Sequence, residues 1–514
     1  MTLSYVTRSS LQILFVGVLG LALGSVRLSA QLDLVFEDQS SAFDASDVWI
    51  TFDNGGSATP FDVTYTPTGG SSTPITFGTY NSGGSTLTNH LSSSIRLSEV
   101  TGNRFTVNSV SSVAVFVSYG SGFSNLQASP SFFSGAPGAD VTYQNFELTR
   151  TGGLGDQGNL TNINYFTAPM SIRSFSQGYM SGTTPVQSTG FSQSTVQIAN
   201  RLAALSSSNS VSTGGTLRRY VGPSTYASNP PYPSFSNYLA SVHASGVTNT
   251  IQNSNAFQTN GATSTTGTNY NFTFTLTSVV QSDNTIELTG EITTEVKDNA
   301  TGVTTSGATY ANADITISGT DQSAVDQIIY GQTAVPAALA DDVTYGQGWT
   351  DWAAFVQNPA NNLTDSFPEG VALDNLTLTR TAIGEITTAI LMGFLGNVMV
   401  VDGSPLNTLP SEDWWKLDPL LAFDQIQSDP DNYNQWADVI YDASANGAYS
   451  IPFSDRLGTG PLVNSVQFNL NGTDYDIDEW VVGFGDPVSV IPEPGSAVLL
   501  VGLSVVGLAL QRRR

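Results

Sequence analysis

Residues 143–170 read YQNFELTRTGGLGDQGNLTNINYFTAPM, and this stretch decides the fold. On a strand that starts at Tyr143, alternate side chains point to opposite faces, which places Phe146 and Leu148 together on an apolar face. The other face carries Tyr143, Asn145, Glu147 and Thr149. We expect the apolar face to join the core, a glycine-rich turn to follow, and a second strand at residues 162–166 to lie beside the first.

Short alternating segments of the same kind recur between residues 32 and 119, for example at 48–52, 61–65 and 113–117. Turns rich in Gly, Ser and Pro separate them. Strands of this length with such turns predict a mainly β protein, built as a sandwich or a barrel. No repeat of about 20–50 residues is visible, which argues against a solenoid or a propeller.

The second half of the chain has a different pattern. The segment 261–319 is rich in Thr, Asn and Ser, and its apolar residues alternate as in β-hairpins. Helical spacing of apolar residues predicts helices at 195–206, 234–244, 323–330, 381–397 and 433–445. The helix at 381–397 contains Glu385, so we expect it to be buried in the protein and not to span a membrane. We therefore expect a mixed α/β part after residue 200.

The amino-acid composition excludes several classes of function. The 514 residues include 42 acidic and 16 basic side chains, for a formal charge of −26. That charge excludes a sequence-independent nucleic-acid binder, which needs positive charge to displace counterions. The chain has no Cys and only two His, so thiol chemistry and a metal site built from several His are excluded. We expect carboxylate chemistry, with no cofactor and no metal.

The two chain ends carry targeting patterns. Residues 1–30 combine Arg8, an apolar run at 11–23 and a small-residue end, which predicts a secretory signal. At the other end, Pro-Glu-Pro at 492–494 is followed by an apolar run at 497–510 and three Arg. This arrangement resembles the PEP-CTERM sorting signal of Gram-negative bacteria. The alternative at either end is a simple membrane anchor.

The sorting-signal resemblance has consequences for residues 488–514. It implies an apolar helix with an Arg tail that anchors the exported protein transiently in the membrane. It also implies a partner, an exosortase-type membrane protease that processes the chain there. The expected location is the cell surface or the extracellular space.

A second resemblance concerns the body of the chain. The pattern Phe146-Glu147-Leu148-Thr149, followed by INYFTAPM at 163–170, resembles the family-64 glycoside hydrolases, which are bacterial β-1,3-glucanases. Weaker similar blocks follow in order, as RYVGP at 219–223, NQWA at 434–437 and GAYSIPFSD at 447–455.

This resemblance implies a fold and a ligand. The implied fold is mainly β, with a thaumatin-like sandwich or barrel at 31–200 and a mixed α/β part at 201–487 that includes the hairpins. The implied binding site is a groove between the two parts. The implied ligand is a polysaccharide, β-1,3-glucan.

The resemblance also implies residue roles. Glu147 matches the family's general acid, whereas the family's general-base Asp is Asn164 in this chain. A neutral amide cannot accept a proton from water, so Asp156 or Asp140 would have to replace that base. The substrate-binding residues implied by position are Tyr143, Asn145, Thr149, Trp436, Tyr449 and Asp455.

Three functions therefore stay open at this point. The first is an inverting endo-β-1,3-glucanase with Glu147 as its acid. The second is a non-catalytic carbohydrate-binding or extracellular matrix protein, associated with exopolysaccharide, on the same scaffold; Asn164 favours it. The third is an adhesin or surface-layer protein without a glycan site.

Overall fold

The computed structural model describes residues 31–491 except 57–59, 134, 152–155, 177–183, 227–230, 260–267, 299–300, 302, 332–341, 360–366, 368, 419, 453–456, 458–467 and 470–476. The expected secretory signal at 1–30 and residues 492–514 of the sorting signal lie outside this range.

The described strands, in chain order, are β1 (Leu32–Asp38), β2 (Val48–Asp53), β3 (Phe61–Pro67), β4 (Thr73–Pro74), β5 (Thr79–Ser82), β6 (Ser85–Thr88), β7 (Ile95–Arg96), β8 (Val100–Tyr119), β9 (Thr142–Arg150), β10 (Gln157–Leu160), β11 (Tyr165–Phe166), β12 (Met170–Phe175), β13 (Gln187–Gly190), β14 (Ser210–Thr213), β15 (Thr216–Val221), β16 (Asn249–Thr259), β17 (Thr268–Val280), β18 (Ile286–Asp298), β19 (Thr304–Ile317), β20 (Val343–Tyr345), β21 (Val400–Val401), β22 (Ser404–Pro405), β23 (Phe468–Asn469) and β24 (Glu479–Phe484). The described helices are α1 (Thr195–Leu205), α2 (Ser236–Ser245), α3 (Gln322–Ile329), α4 (Gln347–Gln357), α5 (Thr377–Leu391), α6 (Ser411–Trp414) and α7 (Gln435–Ser444).

The large sheet carries most of the N-terminal strands. Its main path runs β13-β12-β24-β1-β8-β9-β10-β23; β2 and β3 also pair with β8, β7 pairs with β2, and β4 pairs with β3. Neighbours on the path are antiparallel except β1 and β24, which run parallel. The late strand β24 thus lies among strands from the first 200 residues. The division of the chain into two domains near residue 200 stays a prediction.

The core follows from alternation along the strands. In β1, Leu32, Leu34 and Phe36 are buried while their neighbours are partly exposed. In β9, Phe146 and Leu148 join the same apolar cluster, and the Phe146 ring lies 6.3 Å from that of Phe36. The predicted apolar face of β9 is therefore confirmed.

A second sheet has the order β16-β17-β18-β19-β20. The alternating segment at 261–319 corresponds to its long antiparallel strands β17 to β19. The outer edge of β16 is covered by the start of α6, because Gln252 N donates to Ser411 Oγ at 3.0 Å and Ser254 N donates to Glu412 at 2.9 Å. Covering an edge in this way protects it from pairing with another chain.

The five predicted helices are confirmed, with the largest shift at α5, which spans Thr377–Leu391 instead of 381–397; helix α4 was not predicted. Helix α1 begins at a capping box, in which Ser194 and Gln197 satisfy each other's backbone N–H groups. Helix α5 is buried along almost its whole length, which confirms the interpretation of this segment as a core helix. Within the ranges given above, no helix is long and apolar enough to cross a membrane.

The predicted fold class, mainly β with a smaller α/β component, is confirmed by these elements. The large sheet ends at β13 and β23 among the described residues. It is therefore an open sheet, and the barrel alternative is wrong for the part of the chain that the structure describes.

Candidate functional site

An open groove of about 470 Å³ lies over β8, β9 and β10. Its lining residues are Ser112, Ala114, Glu147, Leu148, Thr149, Gln157, Gly158, Asn159, Thr161, Ile163, Asn164, Tyr449 and Ile451. Glu147 is the single charged side chain among these described residues. Amides and hydroxyls supply the rest of the polar side chains, so the groove is suited to a neutral ligand with many hydrogen-bonding groups. We call it the Glu147 groove.

Glu147 stands in the middle of the groove floor, because β9 is the central strand of the three. It is exposed, and its direct cross-strand neighbours are Ala114 on β8 and Asn159 on β10. The Asn159 Nδ2 donates to Glu147 Oε2 over 3.5 Å. Thr149, on the same face of β9, lies opposite Gln157. The polar face of β9 therefore continues onto β10 as a row of amides.

The floor is tightly supported from below at Gly158. A Cβ atom at this position would lie 2.3 Å from the ring of Trp480 and 2.6 Å from the carbonyl oxygen of Glu147. Trp480 is fully buried under β10. Only glycine fits between the Trp480 ring and the Glu147 backbone, so this packing fixes the height of the floor.

Asn164 forms part of the groove wall and is held at two points. Its side-chain Oδ1 accepts a hydrogen bond from Ser224 Oγ at 3.0 Å, and its backbone oxygen accepts one from Gly222 N at 2.8 Å. Ser224 Oγ also lies 3.1 Å from the carbonyl oxygen of Ile163. The amide of Asn164 is therefore presented to the groove by a fixed loop.

The strand beside β9 is not the one that the sequence predicts. We expected residues 162–166 to pair with β9, but the partner is β10, and Asn159 instead of Asn164 lies opposite Glu147. Residues Tyr165–Phe166 form β11, which pairs with β15 in a separate sheet. The second strand begins at Gln157, earlier than predicted and directly after the buried Asp156.

Asp156 does not reach the groove. It is fully buried, its Oδ2 lies 3.3 Å from the buried Arg150 guanidinium, and its Oδ1 accepts bonds from the N–H and hydroxyl of Thr151 at 2.7 and 2.8 Å. This carboxylate anchors the turn, so the structure does not support the expectation that it replaces the base. Asp140 is exposed and is not among the lining residues.

Tyr143 and Asn145 share a face with Glu147, but a small apolar cluster covers them. The Arg219 guanidinium lies 4.1 Å from the Tyr143 ring centroid, and burial raises the pKa of Tyr143 to about 12. The Asn145 side chain accepts a hydrogen bond from the Tyr165 hydroxyl. These two residues are thus placed beside the groove and not in it, whereas Thr149 lines it.

The three predicted substrate-binding residues late in the chain have different positions. Tyr449 lines the groove. Trp436 is fully buried behind the wall and donates from Nε1 to the carbonyl oxygen of Asn162 at 2.9 Å, so it supports the segment that carries Asn164. Asp455 lies outside the described residues. In the part of the chain that the structure does cover, no group of three or more His, Asp or Glu side chains could hold a metal ion.

Sequence reasoning missed Gln157, Asn159 and Ser224. The first two share one face of β10 and could have been found from their two-residue spacing, had the strand been placed at 157–160. Ser224 gives no local signal, because it reaches Asn164 from a segment 60 residues later in the chain.

Comparison with known proteins adds two findings. Residues 490–514 match the PEP-CTERM protein-sorting motif, so this end of the chain carries a sorting signal. The match begins at Val490, which together with Ile491 lines a second cavity of about 530 Å³ near the start of α1. A search of curated proteins gives no match.

The structure is similar to solved β-1,3-glucanases of family 64. One is the β-1,3-glucanase domain from Clostridium beijerinckii, at 11% identity and a TM-score of 0.44, over 89% of this chain and 98% of that one. Another is the laminaripentaose-producing β-1,3-glucanase from Paenibacillus barengoltzii in complex with laminarihexaose, at 11% identity and a TM-score of 0.35, over 88% of this chain and 75% of that one.

Proposed function

We propose that this protein is exported and binds a neutral polysaccharide, β-1,3-glucan, in the Glu147 groove without cleaving it by the inverting mechanism. The observation that carries the proposal is the lining of the groove. Glu147 is its single carboxylate among the described residues, and a fixed amide, Asn164, stands where the family-64 pattern has its base.

Inverting hydrolysis needs two carboxylic groups. One protonates the leaving oxygen, and the other takes a proton from the attacking water. Glu147 can serve as the first. Asn164 cannot serve as the second, since a neutral amide does not accept a proton near neutral pH, and Asp156 is buried against Arg150.

The charge of the protein favours an uncharged ligand. At a formal charge of −26 the chain repels polyanions at long range. The described groove lining contains no Lys or Arg to counter that repulsion. Its Gln, Asn, Thr and Ser side chains instead match the hydroxyl groups of a neutral sugar, because each can both donate and accept.

The sorting motif supports the location. We infer that an exosortase-type protease processes the C-terminal segment after transient membrane anchoring, and that the mature protein then stays at the cell surface or is released. A polysaccharide ligand fits either place, since both are outside the cell.

The alternative function is an inverting endo-β-1,3-glucanase. It is favoured by the exposure of Glu147 in the centre of the groove floor. A non-catalytic binding protein does not need a carboxylic acid at that position, so the presence of Glu147 there favours hydrolysis.

One experiment separates the two functions. The purified full-length protein is run through native gels with and without laminarin, and reducing ends are counted after incubation with laminarin. We expect retardation by laminarin and no release of reducing ends. The proposal fails if laminarin does not retard the protein, or if reducing ends appear and Glu147→Gln abolishes them. Glu291→Gln, the same change at an exposed site on β18, is the matched control.

A further inference from the structure

We propose that the Glu147 groove hydrolyses polysaccharides of 2-acetamido sugars, with the acetamido group of the substrate as the nucleophile. This inference rests on the proposed function only in that the groove must bind a sugar chain. It assigns a reaction that a single carboxylate can catalyse, and it gives Glu147 and Asn164 separate roles in it.

The first structural support is the pairing of one acid with one amide. Glu147 is exposed in the floor, and Asn164 faces the same groove from the wall. A glucan offers only a hydroxyl group at C2, so its hydrolysis by the described lining, in which Glu147 is the single carboxylate, lacks a base. A 2-acetamido sugar carries its own nucleophile, the amide oxygen, next to the reacting C1 atom. A second protein carboxylate is then not required.

The second support is the way in which Asn164 is held. An amide oxygen has two lone pairs, and the Ser224 hydroxyl uses one of them at 3.0 Å. The other can accept the N–H of an acetamido group. Gly222 fixes the Asn164 backbone at 2.8 Å, so the acceptor is held in place before the substrate arrives. Such a contact would turn the acetamido oxygen toward C1, which makes Asn164 a positioning residue.

The third support is the packing behind this loop. A Cβ atom on Gly222 would lie 2.3 Å from the Ile163 carbonyl oxygen and 2.9 Å from the Trp436 ring. Trp436 is itself fixed by its hydrogen bond to Asn162. The loop that presents Asn164 is therefore backed by a buried aromatic ring, which restricts its movement.

The reaction balances with water as the only co-reactant. Protonated Glu147 gives its proton to the glycosidic oxygen as the C1–O bond to the leaving sugar breaks and the acetamido oxygen bonds to C1. The ring that forms is an oxazolinium ion, and its N–H group stays hydrogen-bonded to Asn164 Oδ1. The Glu147 carboxylate then removes a proton from water, which attacks C1, breaks the new C1–O bond and restores the acetamido group. Two displacements at C1 give a product with retained configuration.

The test uses hexamers of glucose and of N-acetylglucosamine, each in β-1,3, β-1,4 and β-1,6 linkage, with the purified full-length protein. Binding is measured by calorimetry, product release by chromatography, and product configuration by NMR. We expect cleavage of at least one N-acetylglucosamine hexamer with retention, and binding without cleavage of the β-1,3-glucose hexamer. Loss of cleavage on addition of a thiazoline analogue of the oxazolinium ion is also expected.

Two variants test the roles of Glu147 and Asn164 in this reaction. Glu147→Gln should bind the cleaved hexamer within a few-fold of wild type and lose at least a hundredfold in rate. Asn164→Ala should lose at least tenfold in rate on that hexamer, a larger loss than its change in affinity for the glucose hexamer. Glu291→Gln, at an exposed carboxylate on β18, is the matched control and should keep cleavage with retention.

The outcomes separate this inference from the proposed function. If the β-1,3-glucose hexamer binds and no N-acetylglucosamine hexamer is cleaved, the inference is overturned and the binding function stands. Cleavage with inversion of configuration also overturns it. If no hexamer binds, both proposals fail.

Discussion

Asn159 lies directly opposite Glu147 across the β9–β10 pair, and its side-chain nitrogen is 3.5 Å from the Glu147 carboxylate. This relationship places an amide donor beside the one carboxylate of the described groove lining. It follows from strand register alone, since residues that face each other across antiparallel strands have close Cβ atoms. The pair therefore defines the centre of the site.

Replacement of Asn159 by Ala should weaken laminarihexaose binding roughly three- to tenfold, because one neutral hydrogen-bonding partner is lost from the floor. Calorimetric titration measures the change. Thr289→Ala, at an exposed position on β18, should leave the affinity unchanged. Equal affinity of Asn159→Ala and wild type would place the ligand elsewhere.

Gly158→Ala should destabilise the fold by about 1–3 kcal/mol, because the new methyl group overlaps the Trp480 ring and the Glu147 carbonyl oxygen. Urea unfolding gives the free energy. Gly307→Ala is the matched control, since its Cβ would meet only the Thr294 carbonyl oxygen at 3.4 Å. Similar losses in both variants would show that the contact with Trp480 is not tight.

Asn164→Asp should create β-1,3-glucan hydrolysis in a protein that otherwise only binds this polymer. The substitution supplies the second carboxylate that inversion requires. Release of reducing ends from laminarin, with inverted configuration of the first product, is the measurement. Asn164→Ala should stay inactive, and Glu147→Gln in the Asn164→Asp background should remove the gain. An inactive Asn164→Asp variant would show that more than the base is missing.

Stability should fall as the pH rises from about 4.5 to about 7. Burial raises the pKa of Glu385 from 4.5 to about 7, against the lowering effect of hydrogen bonds from Ser411, Trp415 and Asn253, while the nearby Glu412 adds to the rise. A folded-state pKa above the unfolded one gives stability that is complete below the unfolded value. That stability is lost as pH rises through the folded value, up to about 3 kcal/mol.

The measurement is the unfolding free energy at pH 5 and pH 8 in wild type and Glu385→Gln. The difference between the two pH values should shrink in the variant. Burial also raises the pKa of Asp438 to about 7, so Asp438→Asn should remove a separate part of the same slope. An unchanged pH dependence in Glu385→Gln would contradict the assignment.

The sequence predicts the fold class and the core face of β9, because each depends on two-residue or helical periodicity. It does not predict the partner of β9, because β10 begins directly after Asp156, which is buried in an ion pair with Arg150. The contact between Arg150 and Asp156 forms only in the folded core, so the local sequence pattern does not indicate it.

The roles of Trp436 and Tyr143 show a similar limit. Both are aromatic residues that suit a sugar platform by composition. The structure buries them against Asn162 and Arg219, because a large apolar ring is more stable in the core than in a groove. Burial of a particular aromatic ring depends on which loops cover it, and that is a tertiary property.

The most direct test of the account is the affinity of laminarihexaose for wild type and Ala114→Trp, measured by calorimetry. Ala114 lies beside Glu147 on the floor, so a Trp side chain there fills the groove. We predict measurable binding to wild type and at least a thirtyfold weaker affinity for Ala114→Trp, with Thr289→Trp unchanged. Equal binding by Ala114→Trp and wild type would contradict the assignment of the Glu147 groove as the polysaccharide site.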